Sequence, residues 1–551
     1  MTRNTVSVAA LVLLCLVVAI EAATRSSSPQ PATPPSNISS CLLSNGVNNF
    51  SLPGSPSYTP LLDAAIRNRR FQLPGVGKPA AVVLPSSKRD LQRSILCARA
   101  SSLAIRVRSG GHSYEGLSYT TENHVPFVVI DLAQLNRVRV DPTGSGGTAW
   151  AESGATLGEL YAAVGRASRT LAFPAGSCAT VGVGGHLAGG GFGLLSRKHG
   201  LAADNVVDAV LIDASGAVLT RATMDADVFW AIRGGGGGSW GVVYAWKLRL
   251  VPVPRNLTVF TLGRAGPVHR VAGLVHKWQR VAPRLPDEFY LSIYLPTTGS
   301  KSNGGVSVSF TGQVLGPKRL ALSVLTQRFP ELGLTESDLT ETSWVESTAK
   351  FANLKSVSEL TDRQPGAGQY SKSKSDYVRS PISLNDTITI LRHLSDGPHH
   401  HQGSVILDPY GGAMARVANT ATPFPHRAGY LYSVQYGVTW TAPEQVDRAD
   451  EYVGWLRSVY EFMAPFVSKD PRAAYVNYVD LDLGVNGWTN ATGGGTDGDD
   501  DAVGRAAAAW GRSYFSGNFD RLVRAKSKVD AGNVFNNAQS IPPSHYRPTK
   551  H

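Results

Sequence analysis

FPAGSCATVGVGGHLAGGGFG, residues 173–193, is the stretch that decides the fold, because it places Cys178 and His186 on a backbone dense in glycine. A second stretch of this kind, RVRSGGHSYEG at residues 106–116, carries His112. Glycine lets a backbone approach another molecule closely or adopt positive φ. Two nucleophilic side chains, His112 and Cys178, in such settings indicate a large flat cofactor that is held from two sides and open to covalent attachment.

Length and composition predict a secreted protein of two domains. At 551 residues the chain exceeds the size of one compact core, and hydrophobic and charged contents of 42% and 17% indicate a globular fold. Residues 1–23 contain a positive start, an apolar core and a small-residue cleavage site, which is the pattern of a secretory signal. No later stretch reaches ~18 consecutive apolar residues, so we expect a mature protein without a membrane anchor.

The expected secretion makes the cysteine count informative. Cys15 leaves with the signal, and Cys41, Cys97 and Cys178 remain. Disulfides form in oxidising compartments, so an odd number of cysteines leaves one thiol to explain. Cys41 and Cys97 can form a disulfide that ties the N-terminal segment to the first domain. Cys178 then has either a chemical role or an inert one, since free cysteine packs well as a small apolar residue.

Surface features are consistent with an extracellular or cell-wall location. Five Asn-X-Ser/Thr sequons are candidate glycosylation sites: Asn37, Asn49, Asn256, Asn385 and Asn490. The formal net charge of +12 at pH 7 predicts attraction to acidic cell-wall polysaccharide. The basic residues are dispersed and form no stripe with interleaved aromatic residues, which argues against nucleic acid as a partner.

Two regions of different pattern follow each other along the chain. From about 78 to 253, short β-type runs alternate with helical patterns such as TLGELYAAVGRAS, where Thr156 offers an N-cap and Glu159 completes a capping box. From about 254 to 470, alternating runs such as GVSVSFTGQVL and GYLYSVQYGVTW predict an antiparallel sheet covered by amphipathic helices. We predict no metal site, because the acidic loop 493–501 and the tract His399–His401 are typical of solvated turns.

The first glycine-rich turn predicts an anion site. The N–H groups of Ser109, Gly110 and Gly111 can surround phosphate oxygens, and His112 follows directly, close to any ring attached to that anion. A third run, RGGGGGSWGVV at 233–243, ends the same region. The glycines are spread over roughly 130 residues, so they do not form the single βαβ unit of a nicotinamide-binding Rossmann fold.

Ordered blocks along nearly the whole chain after the signal resemble one family, the berberine-bridge-enzyme-like flavoproteins of plants, within the vanillyl-alcohol-oxidase type of FAD-linked oxidases. They include SGGHSYEG, FPAGSCATVGVGGH, FWAIRGGGGGSWGVV, PFPHRAGYLYSVQY, YVNYVDLDLG and the Cys41/Cys97 pair. The resemblance implies an α+β fold of two domains with FAD at their junction. The implied order is an N-terminal segment 24–77, an FAD-binding domain 78–253, a substrate-binding domain 254–474 and a C-terminal segment 475–551 that returns to the FAD-binding domain.

The resemblance also implies that FAD is held by two covalent bonds. His112 would bond the 8α-methyl carbon of the isoalloxazine and Cys178 its C6, which accounts for the odd cysteine. Val181 lies at the family's oxygen-gate position, where valine leaves room for O₂ and so favours an oxidase that produces H₂O₂. His186 would support the negative charge of the reduced flavin. The remaining implied cofactor-binding residues are Ser109, Gly110, Gly111, Gly182, Gly185 and Gly189.

Such a flavin oxidises an alcohol by accepting hydride at N5 while a base removes the hydroxyl proton. The resemblance implies Tyr478 as the phenol that takes this proton and Tyr114 beside the face where flavin and substrate meet. Gln435 occupies the position where the alkaloid-cyclising member of the family carries its catalytic glutamate. Glutamine cannot act as that base, so berberine-bridge chemistry is disfavoured.

Three residues depart from the pattern of the family's alcohol oxidases. Phe192 replaces a second tyrosine, Ser433 replaces a lysine, and Val479 replaces the arginine of the usual NYRD. Monolignol-type chemistry loses support, and oxidation of a carbohydrate at its more acidic anomeric hydroxyl fits no worse. We expect a carbohydrate or phenolic alcohol as substrate. The alternatives are a dehydrogenase with another electron acceptor, or a catalytically weakened flavin-bearing protein of the wall that binds carbohydrate.

Overall fold

The computed structural model describes residues 37–122, 125–143, 146–297, 305–363, 368–395, 403–441, 448–487 and 502–544. The predicted signal, the tract His399–His401, the sequon at Asn490 and the acidic loop 493–501 lie outside the described residues. The other four sequon asparagines are exposed to solvent.

A four-stranded sheet begins the fold. Its strands are β1 (Phe50–Ser51), β2 (Ala81–Val83), β3 (Ala104–Arg108) and β4 (Phe127–Asp131), in the order β1-β2-β4-β3, with β2, β4 and β3 parallel. Helices α1 (Ile38–Ser44), α2 (Tyr58–Asp63) and α3 (Lys88–Ala100) accompany it. The α3 helix connects two parallel strands, as such a crossover requires. The disulfide Cys41–Cys97 joins α1 to α3, in agreement with the predicted pairing.

A second, antiparallel sheet follows. It contains β5 (Val138–Asp141), β6 (Thr148–Glu152), β8 (Val206–Ile212), β9 (Val218–Thr220) and β10 (Val242–Arg249), in the order β5-β6-β10-β8-β9. The short strands β7 (Leu171–Ala172) and β11 (Val251–Pro252) pair with each other. The helices here are α4 (Leu157–Ala167), α5 (Val183–Ala188), α6 (Ser196–His199) and α7 (Ala226–Ala231). The predicted capping box of α4 is confirmed, since Thr156 and Glu159 exchange both side-chain hydrogen bonds.

The middle of the chain forms a seven-stranded antiparallel sheet, as predicted. Its strands are β12 (Leu257–Pro267), β13 (Phe289–Pro296), β14 (Gly305–Val314), β15 (Thr340–Thr342), β16 (Tyr370–Val378), β17 (Gly403–Pro409) and β18 (Tyr432–Trp440). Their order is β15-β12-β14-β13-β17-β18-β16. The helices of this region are α8 (Val268–Val281), α9 (Lys318–Arg328), α10 (Trp344–Phe351), α11 (Leu384–Ser395), α12 (Ala413–Arg416) and α13 (Ala449–Met463).

Side-chain alternation gives this sheet two different faces. Val434 and Tyr436 of β18 belong to the hydrophobic core formed with α8, α11 and α13. Gln435 points to the opposite face, towards the glycine-rich loops. Strand β16 is at the edge of the sheet, and Asn68 binds its backbone there: Asn68 Nδ2 donates to Ser371 O at 3.0 Å, and Ser371 N donates to Asn68 Oδ1 at 3.2 Å.

The chain ends with helices α14 (Ala502–Phe515) and α15 (Phe519–Val529). Lys526 of α15 is fully buried and donates to Ser239 O at 2.7 Å, in the third glycine-rich run. The α+β fold class is confirmed, whereas the domain limits at 253 and 474 stay a prediction. Among the described helices, none is both long and apolar enough to cross a membrane.

Candidate active site

A cavity of about 570 Å³ is lined both by the glycine-rich loops and by side chains of β13, β17 and β18. Of the thirteen residues that the sequence assigned to the site, twelve line this cavity: Ser109, Gly110, Gly111, His112, Tyr114, Cys178, Val181, Gly182, Gly185, His186, Gln435 and Tyr478. The glycines of the third run, 235–238, also line it. Residues far apart in the sequence therefore face one space.

Gly189 is the residue that the structure does not bring into the cavity. A Cβ atom at this position would lie 2.0 Å from Oδ1 of Asn477, so glycine here makes room for that side chain. Asn477 in turn donates from Nδ2 to the carbonyl oxygen of His186 at 3.0 Å. Gly189 thus makes room for the C-terminal segment against α5, and its cofactor contact stays a prediction.

Two glycine-rich loops touch each other backbone to backbone. A Cβ atom on Gly110 would lie 2.3 Å from Gly182 N, and one on Gly182 would lie 2.0 Å from Ser109 Oγ. The Ser109 hydroxyl donates to Ser153 O at 2.6 Å. Gly111 has φ +70°, a conformation that favours glycine. These glycines therefore fix the approach of one loop to the other, in addition to lining the cavity.

His112 and Cys178 share one hydrogen-bonding partner. His112 Nε2 lies 2.9 Å from Thr180 Oγ1, and Cys178 Sγ lies 3.6 Å from the same oxygen. Burial and the nearby Arg67 guanidinium lower the pKa of His112 to about 3, so the imidazole is neutral and one of its two ring nitrogens keeps a lone pair. Cys178 is the free cysteine of the described residues, and its thiol is accessible from the cavity.

His186 is a second neutral imidazole. Its Nε2 accepts a hydrogen bond from Gly176 N at 3.1 Å, so the ring proton is on Nδ1. Burial lowers the pKa of His186 to about 4. The ring is therefore uncharged at neutral pH and offers one N–H donor.

Three predicted catalytic residues form one contact group. The rings of Tyr114 and Tyr478 are stacked, with centroids 5.5 Å apart and planes at 15°. Gln435 Nε2 donates to Tyr114 Oη at 2.6 Å. Burial, the Tyr114 phenol and the Asp408 carboxylate raise the pKa of Tyr478 well above its ordinary value of 10. This environment keeps the Tyr478 phenol protonated.

Asp408 is a site residue that the sequence did not single out. It lies on β17, its carboxylate lines the cavity, and the Tyr290 hydroxyl of β13 donates to its Oδ1 in a short hydrogen bond. Burial raises the pKa of Asp408 to about 6, although the Tyr290 bond opposes this shift. The sequence feature that could have revealed it is the alternation of GSVILDPYGG, the segment that contains β17. This alternation puts Asp408 on the face of the sheet that also carries Gln435 of β18.

The three departures from the family pattern lie in or next to the cavity lining. Phe192 stacks on Tyr410 with a centroid distance of 5.2 Å and an interplanar angle of 20°. Ser433 is buried and is the direct partner of Asp408 across the β17–β18 ladder. Val479 lines the cavity next to Tyr478. An aromatic ring, a hydroxyl and an aliphatic side chain thus stand at these positions, and none of them carries charge.

The lining residues fit a large flat cofactor such as FAD. Glycine backbones without side chains border the space at 110–111, 184–185 and 235–238. A Cβ atom on Gly185 would meet no protein atom within 4 Å, which leaves that side of the loop open to a ligand. The neutral His112 imidazole and the accessible Cys178 thiol are nucleophiles that face this space.

Comparisons with known proteins agree with this geometry. Residues 79–221 match the family model described as FAD binding domain, and residues 474–542 match the one described as berberine and berberine like. Berberine bridge enzyme-like D-2 of Nicotiana tabacum is 49% identical, over 93% of this chain and 92% of the relative. Reticuline oxidase of Eschscholzia californica is 47% identical, over 92% and 91%.

Solved structures of berberine bridge enzyme and its relatives are also similar to this chain. The berberine bridge enzyme from Eschscholzia californica matches with a TM-score of 0.87 at 45% identity, covering 92% of this chain and 99% of that one. A Phl p 4 variant described as a glucose oxidase matches with a TM-score of 0.83 at 40% identity, with the same coverage of 92% and 99%.

Proposed function

Because the chain belongs to the berberine bridge enzyme-like family of FAD-dependent oxidoreductases, we propose that it is a secreted oxidase with bicovalently bound FAD that converts an alcohol and O₂ into a carbonyl compound and H₂O₂. The single observation that carries this proposal is the cavity itself. It joins two nucleophiles, His112 and Cys178, to a buried carboxylate, Asp408.

Two covalent bonds to FAD are supported by His112 and Cys178. The Thr180 hydroxyl bonds His112 Nε2, which leaves Nδ1 as the nitrogen available to the 8α-methyl carbon. The Cys178 thiol, bonded to the same hydroxyl, would hold C6. When bound, FAD would supply a two-electron acceptor for the hydride of the alcohol carbon, with O₂ as the final oxidant.

We assign removal of the hydroxyl proton to Asp408. A carboxylate with a pKa of about 6 is ionised at neutral pH and basic enough to accept that proton. Tyr290 donates to Oδ1, which leaves Oδ2 for the substrate hydroxyl. Tyr478 stays a predicted participant, and its protonated phenol suits it to donate a hydrogen bond to substrate oxygen. Gln435 holds the Tyr114 hydroxyl in place beside it.

O₂ as electron acceptor is supported by Val181. This residue lines the cavity three positions after Cys178, where the family resemblance assigns the oxygen gate. The glucose oxidase description of the Phl p 4 variant belongs to a relative with the same fold. A carbohydrate is therefore a reasonable first substrate class to test, alongside phenolic alcohols.

An extracellular location is supported by several independent surface features. Four described sequon asparagines are exposed, one disulfide is present, and the net charge is +12. A positive surface attracts acidic cell-wall polysaccharide in a salt-dependent way. We therefore place the enzyme in the cell wall, with such a polysaccharide as its surface partner.

The decisive experiment mixes the purified holoprotein anaerobically with D-glucose, cellobiose and coniferyl alcohol and records bleaching of the flavin. Bleaching by one of them, followed by reoxidation in air with one H₂O₂ per flavin, is expected. If dithionite reduces the flavin but none of the alcohols does, the catalytically weakened protein is the better description. If the alcohol-reduced flavin reoxidises with a dye acceptor but not with air, the chain is a dehydrogenase.

A further inference from the structure

A buried cluster of charges lies beside the cavity but outside it. The lysine–carboxylate cluster consists of Lys372 and Lys374 of β16, with Glu115, Asp480 and Asp482. Lys372 Nζ bonds Glu115 Oε1 in a short contact and Asp480 Oδ1 at 2.8 Å. Lys374 Nζ bonds Asp480 Oδ2 at 2.6 Å and Asp482 Oδ2 at 2.9 Å. Both lysine side chains are only 3% exposed.

The carboxylates of this cluster flank the two stacked tyrosines. Glu115 directly follows Tyr114, and Asp480 comes two residues after Tyr478. Glu115 Oε1 also accepts from Leu481 N at 3.5 Å, so the two segments are tied to each other as well as to β16. Residues next to both tyrosines are therefore bound through their side chains to lysines of the same strand.

Strand β16 carries the cluster on one face, and its other face continues the face of β18 that carries Gln435. Alternation puts Lys372 and Lys374 on the face that packs towards α13, where Lys374 lies 4.4 Å from the Tyr460 ring centroid. Ser375 follows Lys374 in the strand and points to the opposite face. It is the direct cross-strand partner of Gln435, which faces the cavity. The two tyrosine segments, 112–117 with Tyr114 and 476–482 with Tyr478, thus extend from one face of the edge strand to the other.

We propose that Lys372 and Lys374 are positioning residues: by binding the carboxylates beside Tyr114 and Tyr478, they hold the two rings in their stack and keep Tyr114 Oη in reach of Gln435. The inference rests on the proposed function, because the tyrosine pair matters only if the cavity binds substrate. A buried ion pair is a poor source of net stability but a strong constraint on geometry once formed, since loss of one partner leaves a buried charge.

The test compares holoprotein variants by hydrogen exchange, read by mass spectrometry, and by flavin reduction. Lys372→Met leaves Glu115 unpaired, and we expect a lower melting temperature with amide exchange about tenfold faster in 112–117 and 476–482. The double variant Lys372→Met/Glu115→Gln has no lone buried charge. Its melting temperature should return towards that of the wild type, while exchange in 112–117 stays fast. With D-glucose, cellobiose or coniferyl alcohol, whichever bleaches the wild type, kcat should fall about tenfold in both variants with KM changed less.

Asp376→Asn is the matched control. Asp376 lies on the same face of β16, is fully buried and binds Arg472, which is outside both tyrosine segments. We expect it to leave amide exchange in both tyrosine segments unchanged. Exchange that rises equally throughout the Lys372→Met protein, or a double variant that recovers local protection together with its melting temperature, would overturn the proposal. If no alcohol bleaches the wild type, the proposed function fails, whereas the exchange data still decide the role of the cluster.

Discussion

Replacing Asp408 with asparagine should stabilise the protein at neutral pH and slow flavin reduction at the same time. Burial raises the pKa of this carboxyl from 3.8 to about 6, so the folded state holds the proton more tightly than the unfolded state. The free energy of unfolding therefore falls as the pH rises from 3.8 to about 6. At about 1.4 kcal/mol per pKa unit, the ionised Asp408 costs about 3 kcal/mol above pH 6. The cost vanishes below the unfolded pKa.

Asparagine keeps the shape and an oxygen that accepts from Tyr290, but it never ionises. The melting temperature of Asp408→Asn should exceed that of the wild type by about 3 °C at pH 7.5 for a chain of this length, with little difference at pH 4. Its anaerobic flavin reduction by the alcohol substrate should fall by about 10² to 10⁴, the usual contribution of a general base. In the wild type, that rate should rise with pH through about 6.

Thermal melts at the two pH values and stopped-flow reduction test both parts. Asp131→Asn serves as the comparison, because its carboxylate accepts from buried Arg108 at 2.7 Å and its loss leaves that guanidinium without its ion-pair partner, which should destabilise. An equal gain for Asp408→Asn at pH 4 and 7.5 would refute the assignment of its stability effect to a buried charge. An unchanged reduction rate would refute Asp408 as proton acceptor and return that role to Tyr478.

Three further predictions concern the cofactor and its loops. Cys178→Ala should retain FAD through His112 after denaturation, with an altered absorbance spectrum, whereas the double variant with His112→Ala should release FAD on precipitation with acid. Val181→Ile should slow reoxidation by O₂, measured by stopped flow on photoreduced protein, at an unchanged rate of reduction by substrate; equal reoxidation would reject the gate. Gly110→Ala should yield protein without FAD, because its Cβ would lie 2.3 Å from Gly182 N. The control Gly263→Ala should bind FAD normally, because its Cβ would meet no atom within 4 Å. Normal flavin absorbance in Gly110→Ala would contradict the loop contact.

Local signals in the sequence were sufficient for the elements and for most of the cavity. The helix at Thr156 forms because its cap and capping-box residues are three positions apart, which is readable from the chain alone. The strand containing Gln435 follows from alternation, and alternation also puts Gln435 on the face away from the core.

Contacts between residues that are far apart in the sequence could not be predicted from local sequence patterns. Tyr290 and Asp408 are 118 positions apart and meet because β13 and β17 are neighbours in the sheet, an order that the chain does not state locally. For the same reason Lys372 and Glu115, 257 positions apart, could not be paired in advance. The contact of Gly189 with Asn477 could not be read from the sequence either, because glycine serves close packing and ligand approach equally well.

The backbone contacts of Asn68 with Ser371 have a consequence for how copies of this protein behave at high concentration. An edge strand with free N–H and C=O groups is a template on which a second chain can add a strand and begin to aggregate. The Asn68 side chain occupies one such N–H and one such C=O of β16, so these groups cannot pair with a strand of another copy. Asn68 therefore protects this part of the edge of the seven-stranded sheet from strand addition by another copy.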